Sequence, residues 1–197
     1  MGEEPRRRGS GFRWATLGAA PLLVTALLTV PGARADDGVT TGGGVEHLAN
    51  LPRPEGLDGA ASFNSDLAFT GDYAIGGNYN GFVIYDISDP GNPSRVSTVL
   101  CPGSQGDVSV SGDLLYFSVD YPRAGTECGA ASVPVTDPDG FEGIRVFDIS
   151  DKANPRYVTA VRTDCGSHTN TLVPGEDGEH EYVYVSSYSP SEDFPNC

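Results

Sequence analysis

One segment of this chain occurs twice, and this internal repeat constrains the fold more than any other sequence feature. Residues 81–93 read GFVIYDISDPGNP and residues 143–155 read GIRVFDISDKANP, with seven of thirteen positions identical. Similar units in tandem indicate a repeat architecture, in which each unit buries its apolar face against a neighbouring unit. The repeated segment is not a catalytic signature, so it does not identify a reaction.

Short runs rich in apolar and β-branched residues, bounded by glycine, proline and asparagine, predict β-strands throughout the chain. The predicted strands are 65–70, 73–77, 82–87 and 95–100 in a first unit, 107–111, 114–119, 144–149 and 156–162 in a second, and 169–173 and 182–187 in a third. Four short strands per unit are typical of the blades of a β-propeller. The sequence therefore predicts an all-β fold, a β-propeller built from four-stranded blades.

The predicted strands divide residues 62–197 into about two and a half blades. We expect blade 1 at about 65–101, blade 2 at about 107–165 and a partial blade 3 at about 167–197. Residues 120–142 are expected to form a loop inserted into blade 2. Because a propeller closes with at least about four blades, we expect the chain to be the N-terminal part of a longer protein. The alternative is a short form that completes itself by oligomerising.

The first 35 residues predict a secretory signal peptide. A basic segment at 6–13 precedes an apolar run at 14–30, and Ala33-Arg34-Ala35 has the small-x-small form of a cleavage site. A retained anchor is the alternative, although a membrane span needs roughly 20 apolar residues. Residues 36–61 are expected to form a flexible, irregular leader. These features predict a secreted or cell-surface protein with no membrane span after cleavage.

The charge balance excludes one class of partner. The net charge is −15, and 25 acidic residues but only seven basic ones follow position 35. Such a surface repels phosphate backbones, so we expect no nucleic-acid partner. The expected partner is an extracellular protein or a glycan, of unknown identity.

Four cysteines in a chain predicted to be exported indicate two disulfides. Cys101 and Cys165 each end the apolar run after a repeated segment, while Cys128 and Cys197 end two loops that match in length. The repeat therefore predicts the pairs Cys101–Cys128 and Cys165–Cys197. A zinc site is the rival interpretation, but the sequence has no Cys-x-x-Cys spacing.

The strands 82–86 and 144–148, each followed by Ile-Ser-Asp-x-x-Asn-Pro, resemble the LVIVD repeat. The resemblance extends from about Ser65 to Ser187. It implies β-propeller blades in a secreted or cell-surface protein of bacterial or archaeal type, and it implies no particular chemistry. Arg145 departs from the apolar pattern of the repeat, and we expect it to lie on a partly exposed face.

Aspartate and asparagine side chains recur near the start of the first strand of each unit. When the units are aligned on Gly71, Gly112 and Gly175, the aligned residues are Asp66, Asp107 and Asn170, with His168 close by. In a propeller these residues would face the central channel, where their oxygens suit Ca²⁺ and His168 would admit a transition metal. The alternative is that they bond to backbone groups at turns. No other cofactor is predicted.

The remaining candidates are weaker. Ser167 and His168 are adjacent in an extended segment, so their side chains point to opposite faces and cannot act as a nucleophile and base pair. Tyr121 and Tyr188 lie where strands give way to rim loops, and they are candidate contact residues. The sequence therefore predicts a binding or interaction scaffold rather than an enzyme. The alternative is a metal-dependent extracellular enzyme with its site at the channel mouth.

Overall fold

The computed structural model describes residues 42–187, Pro195 and Cys197 of the chain. These residues form ten β-strands and no helix, so the predicted all-β class is confirmed. The predicted signal peptide and Tyr188 lie outside the described residues. Among the residues described, none form a helix long and apolar enough to cross a membrane.

The strands form two four-stranded antiparallel sheets and one hairpin, each joined in sequence order. The first sheet contains β1 (Asn64–Thr70), β2 (Tyr73–Asn78), β3 (Gly81–Asp86) and β4 (Ser94–Leu100). The second contains β5 (Val108–Ser111), β6 (Leu114–Arg123), β7 (Phe141–Asp148) and β8 (Arg156–Arg162). The third is the hairpin of β9 (Thr169–Pro174) and β10 (Glu181–Ser186). Sheets of this kind are typical of propeller blades.

The sheets are arranged with their first strands side by side, β1 next to β5 and β5 next to β9. The faces of the first and second sheets pack on each other through three buried phenylalanines. The ring of Phe82 lies 5.9 Å from that of Phe117 and 5.0 Å from that of Phe147. Burying such rings removes a large apolar area from water, which supplies most of the free energy for holding the sheets together.

The repeated segment performs the same structural task in both sheets. Gly81 and Gly143, which begin the segment, each have φ of +144°, and a Cβ there would lie 1.9 Å from the carbonyl oxygen of Val99 or 2.1 Å from that of Val161. Asp86 accepts a hydrogen bond from the backbone N–H of Ser88 in the turn that follows. The second copy of the segment repeats this turn through Asp148 and Ser150. The repeat is therefore a strand with its closing turn, and its shared glycine and aspartate positions form this local structure in both sheets.

Both predicted disulfides are confirmed. Cys101 is bonded to Cys128 and Cys165 to Cys197. Cys101 follows β4 of the first sheet, whereas Cys128 belongs to the segment between β6 and β7 of the second. The first disulfide therefore ties consecutive sheets together at one end of their strands.

The segment inserted into the second sheet is less irregular than the sequence suggests. β6 continues to Arg123, past the predicted end at Val119, with a register shift between these residues. Arg123 also forms an isolated antiparallel bridge with Ser132. β6 and β7 are thus longer than predicted, and the loop between them is limited to 124–140.

Candidate functional site

The antiparallel order of the strands places four connections at the same end of the sheets. These connections are 79–80, 101–107, 124–140 and 163–168. They contain three of the four cysteines, the long insertion and His168, and we call this end the loop rim. The opposite end carries the short hairpin turns 71–72 and 112–113 together with the turns of the repeated segments. Most of the sequence that departs from the repeat is therefore concentrated at the loop rim.

Arg145 on β7 holds the loop rim through hydrogen bonds to its backbone. The expectation that this residue lies on a partly exposed face is wrong. Its side chain is fully buried, and its guanidinium donates to the backbone oxygens of Thr126 at 2.8 Å, Pro102 at 2.8 Å and Glu127 at 3.2 Å. Its Nη1 also lies 3.2 Å from Sγ of Cys101. Carbonyl dipoles replace the water that the buried cation loses. The residue is polar because it binds loop backbone on both sides of the disulfide.

Burial also affects the ionisation of this arginine. Loss of solvation lowers the pKa of Arg145 to about 10, and the nearby charge of Arg123 acts in the same direction. The pKa of Arg123 is also lowered, mainly by burial. Arg145 remains cationic at neutral pH, since its pKa stays well above 7.

Two further arginines hold the ends of the inserted loop. Arg123 donates from Nη1 to Oγ of Ser132 at 2.8 Å, and Arg162 donates from Nη2 to the backbone oxygen of Asp139 at 3.0 Å. Backbone bonds within the insertion add to this, such as that from the N–H of Ala124 to the oxygen of Ala131 at 2.8 Å. The loop is therefore fixed by side chains from the strands beneath it as well as by the disulfide.

Asp66 and Asp107 each accept one hydrogen bond from the next sheet along the chain, and the two bonds are equivalent to each other. Oδ2 of Asp66 accepts from the backbone N–H of Val108 at 3.2 Å, and Oδ2 of Asp107 accepts from that of Asn170 at 2.7 Å. Each carboxylate thus joins the first strand of one sheet to the first strand of the next. Side-chain bonds of this kind were the alternative to a metal for these residues.

The same two bonds correct the alignment of the third unit. Asn170 occupies the place of Val108, whereas the alignment on glycines matched it to Asp107. The hairpin between β9 and β10 is six residues long, in contrast to the two-residue hairpins of the first two sheets, so Gly175 does not mark the same position as Gly71 and Gly112. The three predicted oxygen ligands are therefore not at one repeat position, although Asp107 and Asn170 are in contact.

A buried polar cluster lies where the first strands meet. Nδ2 of Asn170 donates to Oδ2 of Asp107 at 3.1 Å and to Oγ of Ser118 at 2.9 Å, and Ser118 in turn lies 2.8 Å from Oγ of Ser167. Among the described residues, Oδ1 of Asn170 has no hydrogen-bond partner. Burial raises the pKa of Asp107 to about 6; the Asn170 N–H lowers it and the charge of Asp66 raises it. This carboxyl therefore titrates closer to neutrality than an ordinary aspartate.

His168 pairs with a residue that the sequence did not single out. Its Nδ1 lies 2.6 Å from Oδ2 of Asp120, whose side chain is only 8% exposed. Oδ1 of Asp120 accepts from the backbone N–H of Gln105 at 2.9 Å. Asp120 of β6 thus connects two of the loop-rim segments, 101–107 and 163–168. Asp120 corresponds to Tyr79 in the first sheet, so the repeat gives no signal that would have identified it.

The predicted metal residues differ in the contacts that they make. Asp66, Asp107 and Asn170 lie along the inner strands, and His168 lies with Asp120. In the part of the chain that the structure describes, no three histidine, cysteine, aspartate or glutamate residues are grouped as metal ligands would be. A metal at these residues stays a prediction. Of the predicted contact residues, Tyr121 is 41% exposed at the loop rim.

Comparison with known proteins supports the repeat. A family model described as the LVIVD repeat matches residues 63–100, so the chain contains this repeat in its first sheet. The match covers the first of the two repeated segments. No curated protein matches the chain.

Among solved structures, the chain is similar to that titled "Crystal structure of the computationally designed Ika4 protein", with 13% sequence identity and a TM-score of 0.31. The alignment covers 72% of this chain and 98% of that chain. A likeness at this level carries no inference about function.

Proposed function

We propose that this LVIVD-repeat chain is a secreted or cell-surface scaffold whose loop rim binds an extracellular protein or a glycan. The two disulfides fit an oxidising, extracellular compartment. The predicted signal peptide supports the same location. The proposal assigns the sheets to support and the loop rim to recognition.

The observation that carries this proposal is the way the inserted loop is held. The chain fixes 124–140 with a disulfide, a fully buried arginine and two further arginines, yet leaves much of the loop open to solvent. A loop needed only to connect β6 to β7 could be two residues long, as in the first sheet. A loop ordered in advance loses less conformational entropy on binding, so ordering favours affinity. Rigidly supported loops are also where binding residues are concentrated.

The exposed groups of the loop rim indicate what kind of contact it would make. Glu127 and Asp139 are exposed on the insertion, and Tyr121 is exposed where β6 enters it. An exposed aromatic ring suits stacking on a sugar ring, and exposed carboxylates suit contact with a basic protein surface. The acidic surface of the chain would also speed the approach of a cationic partner.

The test uses the labelled, purified chain on an array of glycans and extracellular protein domains. A double charge reversal, Glu127→Lys with Asp139→Lys, is expected to reduce binding at least tenfold. The matched control is Glu176→Lys with Glu179→Lys, two exposed residues at the β9–β10 hairpin, on the opposite end of the sheets. Binding that both pairs weaken equally, or binding that only the control weakens, would contradict the proposal.

A metal-dependent extracellular enzyme is the second candidate, and the His168–Asp120 pair favours it. A carboxylate that accepts from Nδ1 fixes the ring and leaves the lone pair on Nε2, an arrangement common in metal-binding and proton-accepting histidines. The candidate is tested by measuring metal in the purified protein by mass spectrometry. Stoichiometric metal that is lost in His168→Ala but kept in His180→Ala would favour the enzyme over the scaffold.

A further inference from the structure

The first sheet has one face packed on the second sheet and one face that is open. The open face carries Leu67 and Phe69 on β1, which are 58% and 63% exposed, and Gly76 on β2. A recess of about 400 Å³ lies over this face between Leu67, Gly76, Val83 and Tyr85. Exposed apolar surface of this extent on a sheet commonly marks a contact surface.

The repeat shows what kind of surface the open face is built to meet. By strand pairing, Leu67, Gly76 and Tyr85 correspond to Val108, Phe117 and Phe147 of the second sheet. Those three residues are 3%, 0% and 1% exposed, because the first sheet covers them. The open face is therefore the equivalent of a surface that packs against a neighbouring sheet. Gly76 stands where the second sheet has Phe117, and the absence of a side chain there leaves room for the recess.

The third sheet carries the complementary surface. Because Asn170 occupies the place of Val108, Thr171 and Tyr184 correspond to Ser109 and Tyr116, which lie on the face of the second sheet turned toward the third. The corresponding face of the third sheet is uncovered, with Tyr182 and Tyr184 55% and 63% exposed. One chain thus presents both halves of a sheet-to-sheet contact, a recessed half and a half with protruding tyrosines.

We propose that the third sheet of a second copy packs on the open face of the first sheet, with its tyrosine rings directed into the recess over Gly76. This contact would repeat between copies the packing of consecutive sheets within the chain. It is heterologous, so it closes into a ring or continues as an open chain. Two copies that each use both surfaces bring six sheets together, within the range of about four to eight for propellers. The proposed assembly is accordingly a closed dimer.

The salt dependence of association distinguishes this apolar contact from one held by ion pairs. Each copy carries a net charge of −15, so the copies repel one another and apolar burial must outweigh that repulsion. Salt screens the repulsion and strengthens burial. The dimer is therefore expected to become tighter as the salt concentration rises, whereas a contact held by ion pairs would weaken.

The experiment is sedimentation velocity of the full chain over a range of concentrations and salt. For the wild-type chain we expect the mass of two copies. We expect at least tenfold weaker association for Phe69→Glu on the open face and for Tyr184→Glu on the third sheet. Val158→Glu is the matched control, because Val158 is 53% exposed on β8, away from both surfaces. Circular dichroism of each variant verifies that the fold is retained.

Mixing the variants tests the head-to-tail geometry. Phe69→Glu and Tyr184→Glu each lose both contacts as homodimers, but a mixed pair keeps one contact between two unaltered surfaces. Mixing should therefore restore association that neither variant shows alone. A monomeric wild-type chain would overturn the proposal. This holds also for a monomer in which another segment of the same chain covers Leu67 and Phe69. So would a dimer that neither variant weakens. A monomer that still binds a partner through the loop rim would leave the proposed function intact.

Discussion

Nη1 of Arg145 lies 3.2 Å from Sγ of Cys101, within the boundary between the first and second sheets. The arginine belongs to the second sheet and the cysteine to the end of the first, while the other half of the disulfide, Cys128, belongs to the inserted loop. One buried cation therefore contacts three parts of the chain that must stay together if the loop is to remain ordered.

Replacing Arg145 by methionine should lower the free energy of unfolding by about 3 kcal/mol, because buried carbonyl groups that bonded to a cation lose their donors. Urea unfolding followed by circular dichroism measures the change. Arg95→Met is the control, since Arg95 is exposed on β4 and such changes usually stay within about 0.5 kcal/mol. Equal losses in the two variants would show that Arg145 is not an anchor.

The glycine that opens the repeated segment should tolerate no side chain. Gly143→Ala would place a Cβ 2.1 Å from the oxygen of Val161 at a φ of +144°, and we expect a cost of about 3 kcal/mol. Gly112→Ala in the hairpin of the same sheet has φ of +52° and no atom within 4 Å. It should cost about 1 kcal/mol, from the backbone conformation alone. Thermal unfolding of both variants distinguishes a steric role from a purely conformational one.

The stability of the protein should depend on the protonation of Asp107. Burial raises the pKa of Asp107 from 3.8 to about 6 in the folded state, so the folded state binds the proton more tightly than the unfolded state. The resulting stabilisation is complete below about pH 4 and is lost as the pH rises through about 6. It amounts to about 2 kcal/mol after allowance for the solvent that still reaches this carboxyl.

Asp107→Asn should remove this component of the pH profile, as measured by urea unfolding at several pH values between 4 and 7. Asp86 provides the opposite case, because hydrogen bonds from Ser88 lower its pKa. Its contribution is present above the ordinary aspartate pKa and is lost as the pH falls through the lower folded value. An Asp107→Asn profile with the wild-type slope would refute the assignment.

The repeat predicted the strands well, and the reason is physical. Each strand is an apolar run closed by a turn that only certain residues can form, such as the Gly71-Asp72 and Gly112-Asp113 hairpins, which need positive φ at the glycine. The disulfide pairs followed from the same repeat. Local signals of this kind do not depend on what packs above the sheet.

Arg145 and Asp120 could not be predicted in the same way, because their roles depend on contacts with distant segments. The chain around Arg145 does not reveal that the carbonyls of Pro102, Thr126 and Glu127 converge on it. The metal prediction placed Asp66, Asp107 and Asn170 at one repeat position beside His168, and the longer third hairpin removes that equivalence. The residue types favoured oxygen ligands at these positions. Only the structure shows that carboxylate oxygens of Asp66 and Asp107 accept hydrogen bonds from backbone N–H groups.

The export prediction is tested by the mature N-terminus. If residues 1–35 are a cleaved signal peptide, the protein recovered from the culture medium should begin at Asp36. Intact-mass measurement determines this directly. A chain that begins at Met1 and stays with the membrane fraction would instead support the retained anchor.

The account depends most on the claim that the inserted loop is ordered before any partner binds. Amide hydrogen exchange measured by mass spectrometry tests it, because N–H groups of this segment are hydrogen-bonded. Those of Ala124 and Ala130 donate to backbone oxygens within the segment, and that of Val133 donates to the backbone oxygen of Pro122 in β6. We predict that peptides covering 124–140 exchange slowly, as β6 and β7 do, and that Arg145→Met makes them fast while the strands stay protected. Exchange at the unprotected rate in the wild-type chain, with the strands protected, would contradict the account.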